Sequence, residues 1–507
     1  MRIIYFDMDT TRPDHLGCYG YHRQTSPNID HIAREGVRFT NCYTSDSPCL
    51  PSRTALFSGR FGIHNGVVGH GGTAARMRYP GDGHATDPDL LPWAMALSRG
   101  GLHTVTFSTF AQRHLAWYFY AGWDEMHRFS HKNGNEIASE VNAAVIPWLR
   151  QHGRRDSYFL HINYWDAHTP YRTPLEYGHP FAHDPAPPWP TPEVLDAHWE
   201  RYGAMSARDR SRKPPAGTCA ADQWPRIPRQ LRTRDDFKQW IDGYDTGIRY
   251  MDEHIGQVLQ TLDDLGVLDE TAIIFSADHG ENQGELNIYG DHQTADRCTN
   301  NVPLIVRWPG VTKPGTVIEG LVYQQDLPPT VCELLGIPAP ARWDGQSLVP
   351  ALRGEPFAGR PHLVIGQGAW TAQRGVRTGP WLSIRTYHPG LHPFPDVMLF
   401  NLEEDPVEAH NLAAQRPEIV AQCDRILAEW WQQMQQPRDA APDPMITMIQ
   451  EGGPWYVRTR WNSFLAGLRE DGQAWAADEL EARHLNIKPV PTVRRAARAP
   501  SAAPPSP

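Results

Sequence analysis

The chain has 507 residues, 40% of them hydrophobic, and a formal net charge of -10 from 58 acidic and 48 basic residues. That length supplies a large core, as one oversized α/β domain with an appendage or as several average domains. The interspersed charges, with no basic run before the C-terminal tail, argue against nucleic acid as a partner. Cys18, Cys42, Cys49, Cys219, Cys298, Cys332 and Cys423 form no C-x-x-C pair, so neither a disulfide framework nor a structural zinc site is expected.

The chain opens on MRIIYF and meets acidic residues at once. No signal-peptide apolar region and no membrane-length stretch is present, so a cytoplasmic enzyme without membrane contact is expected. The run IIYFDMD (3–9) reads as a buried strand, and SPNIDHIAREG as a helix with Ser26 as N-cap and Pro27 at its first position. In DSPCLPSRTALFSGR (46–60), Pro51 starts a short helix and Gly59 ends it, which puts Cys49 just before the N-terminus. Backbone N–H groups there favour an anion, and Arg53 on the first turn adds a fixed cation for an oxyanion or a polarised nucleophile.

Further strands are expected at HTVTFS (103–108), YFLHINYWDAH (158–168), AIIFSADHGE (272–281) and VPLIVRW (302–308). A proline-rich stretch, 180–235, breaks the rhythm as an insertion over the sheet rim would, and DTGIRYMDEHIGQVLQTLDDLG reads as a helix closed by Gly266. After about residue 365, GAWTAQRGVRTGPWLSIRT and DVMLFNLEEDP read as antiparallel strands, followed by the helical RPEIVAQCDRILAEWWQQMQQ and a low-complexity tail.

The alternation predicts an α/β fold, a mostly parallel sheet with helices on both faces (1–365), joined to a smaller α+β unit with an antiparallel sheet (366–487) and a disordered tail (488–507). Ligands gather outside the carboxyl ends of such strands. Asp7, Asp9, Asp166, His168, Asp278 and His279 all fall at those ends.

Cys49 has three readings: a buried small hydrophobe, a thiolate activated by the helix end, or part of a larger pattern. Cys49, Pro51, Ser52 and Arg53, followed by TALFSGR, resemble the signature of the type I sulfatases of the alkaline phosphatase-like superfamily. DTTRPDHLGCYG, SPNIDHIAREGVRFTNCY, SADHGE, VPLIVRWPG and LFNLEEDPVEAHNLA extend the resemblance over most of the chain.

The resemblance implies a metal-dependent sulfuric ester hydrolase of arylsulfatase type acting on a small anionic ester. It implies that a formylglycine-generating enzyme converts Cys49 to formylglycine, whose hydrate attacks sulfur and later expels sulfate by collapse to the aldehyde. One divalent ion is implied, Ca2+ first with Mn2+ or Mg2+ as alternatives, held by Asp9, Asp278, His279 and residue 49. Thr10 stands where a second aspartate or an amide is common. Arg53 is implied beside the nucleophile, His168 as the group protonating the leaving oxygen, and His292 in place of a sulfate-binding lysine.

A lysine and histidine pair in a G-K-W-H context is missing. Thr109 and Ala111 occupy its places with Arg113 and His114 near by, and His70 of GVVGHGG is a further candidate for substrate contact. Relatives that hydrolyse phosphonate monoesters and phosphodiesters also lack that pair, so this activity and a sulfamidase are the alternatives. Asp166 is expected to orient, and Asp7 to reach the rim or serve structure. Oligomeric state, a homo-oligomer included, stays open.

Overall fold

The apolar runs become strands because they are buried along nearly their whole length, His103 being an exception, as parallel strands packed on both faces are. The structure, a computed structural model, describes residues 1–78, 87–210, 224–436, 441–484 and 487–490. Cys219 and the tail from 491 lie outside the described residues, as does 211–223 of the proline-rich stretch.

In chain order the strands are β1 (Arg2–Met8), β2 (Val37–Tyr43), β3 (Asp46–Ser47), β4 (His103–Phe107), β5 (Glu125–His127), β6 (Tyr158–Tyr164), β7 (Thr271–Ala277), β8 (Asn282–Gln283), β9 (Tyr289–Asp291), β10 (Asn301–Arg307), β11 (Thr316–Ile318) and β12 (Val322–Tyr323). They are followed by β13 (His362–Gln367), β14 (Ala372–Thr378), β15 (Trp381–His388) and β16 (Val397–Asn401).

Among the described residues, the larger sheet has nine strands in the order β11-β2-β10-β7-β1-β6-β4-β5, with β12 also beside β2. β1 runs parallel to both β6 and β7, whereas β10 is antiparallel to β7 and β2. The sheet is therefore mostly parallel, with β1 central and its carboxyl end flanked by those of β6 and β7. Helices pack on it in two groups: α1 (Pro27–Glu35) and Ala138–His152 meet the long helix Arg234–Asp264, while α2 (Cys49–Ser58) meets Trp93–Arg99 and Leu327–Leu335.

The long helix begins well before the predicted segment, because Thr233 and Asp236 form a reciprocal capping box. Ser26 precedes α1 as expected but does not cap it. Its hydroxyl donates to Asp30 Oδ1 and accepts the Gly17 N–H.

The smaller sheet runs β16-β15-β14-β13-β3. It begins at His362, and its edge strand β3 comes from the residues just ahead of Cys49, pairing Asp46 with Gly366 and Ser47 with Gln367. The proline-rich stretch carries helices Pro192–Glu200 and Ala207–Arg210. Tyr202 shares an apolar cluster with Val457 and Trp461, and Arg208 pairs with Asp471, so this stretch packs on the C-terminal helices. No helix among the described residues is long and apolar enough to cross a membrane.

Candidate active site and metal centre

The carboxyl ends of β1 and β7 are adjacent, with Asp7 opposite Ser276 and Met8 opposite Ala277, so the next residues, Asp9 and Asp278, meet just beyond the sheet. Thr10 has φ 52, a left-handed conformation uncommon outside glycine. This turn points its N–H at Asp278 Oδ1, 3.1 Å away, and its carbonyl at the Tyr244 hydroxyl, which donates at 2.7 Å.

Helix α2 brings in the nucleophile candidate. Cys49 Sγ lies 3.1 Å from His279 Nε2. His279 Nδ1 donates to the Gly280 carbonyl at 2.7 Å, which fixes the tautomer and leaves the Nε2 lone pair facing Cys49 and Asp278. Ligand atoms of Asp9, Cys49, Asp278 and His279 all lie within 4.8 Å of one another, and all four residues are buried.

Two observations test whether this set fits a cation. Asp9 Oδ1 and Thr10 Oγ1 are buried without a hydrogen-bond partner, which is costly unless something else satisfies them. Burial raises both carboxyls to about 6, Asp9 with added repulsion from Asp278 and Asp278 with added repulsion from Asp7. Crowded carboxylates beside a free imidazole nitrogen form a donor set suited to one divalent ion. The buried, unpartnered Thr10 hydroxyl is a further oxygen donor next to Asp9 in the chain.

Arg53 sits differently from the sequence expectation. The helix begins at Cys49, two residues before Pro51, and is buried all round. It ends as predicted at Gly59, whose φ of 67 and approach to the Trp343 ring leave no room for a side chain. Arg53 is 1% exposed and turned into the sheet.

Its Nε and Nη2 grip Asp7 at 2.7 and 3.0 Å, and Nη1 donates to Asp9 Oδ2 at 3.0 Å and Asp278 Oδ2 at 2.5 Å. Its guanidinium braces carboxylates instead of presenting to an oxyanion. Asp7, held in turn by His161 Nε2 at 3.2 Å, anchors it. Burial, then Asp9 and Asp278, push the Cys49 thiol above its ordinary pKa, so a thiolate here would need the charge of a bound cation.

The remaining candidates stand around this cluster, His292 with a ligand atom within 4.8 Å of those of Cys49 and His279. The His292 ring lies 4.2 Å from that of His279 and 6.0 Å from that of His168, and its Nδ1 is buried without a partner. Burial and the neighbouring His279 drop His292 to about 3.

His168 Nδ1 donates to the Thr169 carbonyl at 2.5 Å and its Nε2 faces Arg113 Nη2 at 3.4 Å. Burial and the nearby Arg113 hold it well below the usual imidazole range. His70 Nε2 accepts the Leu50 N–H at 3.3 Å, and its Nδ1 meets Tyr456 Oη at 2.8 Å.

Thr109 is a correction, because its hydroxyl is used up. It donates to Glu136 and accepts from Trp165 Nε1 and the Gly134 N–H, leaving nothing for substrate. Arg113 stacks 5.0 Å above the Trp165 ring and donates to the Gly134 carbonyl. Asp166 stands apart from the carboxylate cluster, with Oδ2 buried and unpartnered.

Sequence reasoning missed His161, Tyr456 and Arg172. A histidine inside the apolar run of β6 was the one available signal for His161, since a buried imidazole needs a partner.

Residues 2–337 match the family model described as Sulfatase, and residues 284–439 match that of the N-sulphoglucosamine sulphohydrolase C-terminal region. An ulvan-active sulfatase of Formosa agariphila is 23% identical over 88% of this chain and 82% of its own. Arylsulfatase A of Homo sapiens is 27% identical over 80% of this chain and 82% of its own. Among solved structures, the phosphonate monoester hydrolase of Agrobacterium radiobacter superposes with a TM-score of 0.66 at 20% identity, covering 85% of this chain and 96% of its own.

Proposed function

Because the chain belongs to the sulfatase family, we propose that it hydrolyses the sulfuric ester of a small anionic substrate with residue 49, as formylglycine, supplying the nucleophile. The observation that carries this is the meeting of Cys49 with His279 at 3.1 Å inside the Asp9, Asp278 and His279 cluster. Formylglycine offers a hydrated aldehyde, one hydroxyl for attack on sulfur and the other for expelling sulfate. Asp9, Asp278, His279 and Thr10 would hold a divalent ion, Ca2+ first with Mn2+ or Mg2+ as alternatives, which supplies charge neutralisation and an acidified hydroxyl.

The chain's own residues do the rest. Arg53 keeps Asp9 and Asp278 oriented, itself fixed by Asp7. His292 offers its unpartnered Nδ1 to a non-bridging oxygen. His168 is assigned to the leaving oxygen: with Nδ1–H tied to Thr169, Nε2 must first take up a proton from solvent, and its lowered pKa then favours handing that proton to the oxygen. Arg113 meets the developing negative charge.

A phosphonate monoester or phosphodiester hydrolase is the second reading. What favours it is the absence of a lysine and histidine pair in a G-K-W-H context, which such hydrolases also lack, with Thr109 and Ala111 in its places.

One metal-replete preparation, matured by a formylglycine-generating enzyme, tests both when assayed in parallel on aryl sulfate, sulfamate, phosphonate monoester and phosphodiester. Peptide mass spectrometry of residue 49 on that sample reads the aldehyde. An unmodified thiol in a fully active sample would end the formylglycine mechanism.

A further inference from the structure

The cations of this site are unevenly spent. Arg53 is committed to Asp7, Asp9 and Asp278, and the imidazoles of His70, His168, His279 and His292 all sit below their ordinary range, chiefly through burial. Arg113 and Arg172 remain, and neither forms an ion pair among the described residues.

The two arginines meet at His168. Arg113 Nη2 faces His168 Nε2 at 3.4 Å, while Arg172 Nη2 donates at 3.4 Å to the Thr169 carbonyl that also receives His168 Nδ1–H. Arg172 Nε is buried with no partner. Burial and repulsion from Arg113 lower the Arg172 pKa to about 10.

The nearest opposite charges do not neutralise this pair by contact. Asp166 is raised by burial to about 7 and turns an unpartnered oxygen inward. Glu136 spends one oxygen on Thr109 and Gly134 and leaves the other buried and unpaired. Two guanidiniums side by side, one with an unused donor, form a planar fork suited to a carboxylate or an oxyanion.

A sulfate monoester brings one negative charge, which a divalent ion held by Asp9, Asp278 and His279 would meet. Arg113 and Arg172 both meet His168, the residue assigned to the leaving oxygen, one at Nε2 and the other through the shared Thr169 carbonyl. The surplus cations thus lie on the side of the alcohol that departs.

Resting on the sulfate ester reading above, we propose that Arg172, with Arg113, binds a second anionic group carried by the leaving alcohol. The substrate class is then a sulfate ester whose alcohol bears its own carboxylate or further sulfate. Arg172 becomes a specificity-determining residue, because a neutral leaving group strands its buried charge.

The test compares kcat/KM for 3-carboxyphenyl sulfate with that for 3-carbamoylphenyl sulfate, matched in size and differing in charge. The wild-type enzyme should prefer the carboxylate by about 10- to 100-fold, the range of a charge-assisted hydrogen bond. Arg172→Gln should bring the preference to within about twofold, and Arg172→Lys, which keeps the charge but loses the planar fork, should retain only part of it.

Equal kcat/KM for the two esters in the wild type would overturn the proposal. So would an Arg172→Gln enzyme that loses on both while keeping the ratio, since that places Arg172 on the reacting sulfate or in the scaffold. Hydrolysis of neither ester, with turnover of a phosphodiester instead, would overturn the sulfate ester reading and the inference with it.

Discussion

Tyr456 Oη lies 2.8 Å from His70 Nδ1, although 386 residues separate them in the chain. Tyr456 comes from the C-terminal helix Trp455–Glu470, and His70 in turn receives the Leu50 N–H next to the nucleophile. The C-terminal region therefore reaches the first turn of α2 through one imidazole.

Tyr456→Phe should lower kcat/KM by about 3- to 10-fold, as expected for the loss of one buried hydrogen bond of about 1 kcal/mol. The measurement is steady-state kinetics beside a melting curve that stays near wild type. An unchanged kcat/KM would leave Tyr456 a packing residue.

Asp278→Asn should lose the bound ion and the activity together, with turnover falling about 1000-fold or more, because a Lewis acid supplies several kcal/mol. Elemental analysis of the purified variant reads the metal. Full metal content would break the ligand set assembled from β1, β7 and α2.

Arg53→Met should act first on folding, since it leaves Asp7, Asp9 and Asp278 facing one another in the interior. The cost is about 3–5 kcal/mol in urea midpoints of the metal-stripped protein. Saturating divalent ion should recover part of it by replacing the lost charge beside Asp9 and Asp278.

His168→Ala should slow alkyl sulfates by roughly 100- to 10,000-fold while slowing nitrophenyl sulfate far less, because a weakly basic leaving oxygen needs little protonation. His292→Ala should slow both alike. Equal losses for His168→Ala would assign it to charge holding instead of proton transfer.

Asp166 offers a pH signature. Its carboxyl is raised by burial from 3.8 to about 7 in the folded chain. Between those values the folded state keeps a proton that the unfolded state has released, so this group's contribution to stability falls as pH rises from about 4 to about 7. Asp166→Asn should flatten the wild-type slope by up to about 1.4 kcal/mol per pH unit, read from urea midpoints at several pH values. An unchanged slope would mean that Asp166 is not the titrating group.

The meeting of these two carboxylates, Asp9 and Asp278, with His279 was legible because they sit directly after apolar runs, and strand ends converge whatever the rest of the chain does. Asp9, Asp278, His279 and Cys49 follow from that rule together with the motif. The hold of Asp7 and His161 on Arg53 depends on which strands are neighbours, and β1 lies beside β6 only in the assembled sheet.

Thr109 shows another limit: its position suits substrate contact, but three hydrogen bonds exhaust its hydroxyl, and no motif records saturation. Tyr456 and Arg172 were hidden for a third reason. Each is an ordinary surface residue type in sequence, and only docking or the crowding of like charges gives it a role.

Strand β3 ties the segment just ahead of Cys49 to residues 366 and 367, so the nucleophile's surroundings cannot close until that distant strand has left the ribosome. Synthesis at about 5–20 residues per second separates the two events by roughly fifteen seconds to a minute. Cys49 ends at 1% exposure. On the formylglycine reading proposed above, the enzyme that oxidises Cys49 therefore has a deadline set by translation, and slow conversion would leave a fraction of chains folded around an unconverted thiol.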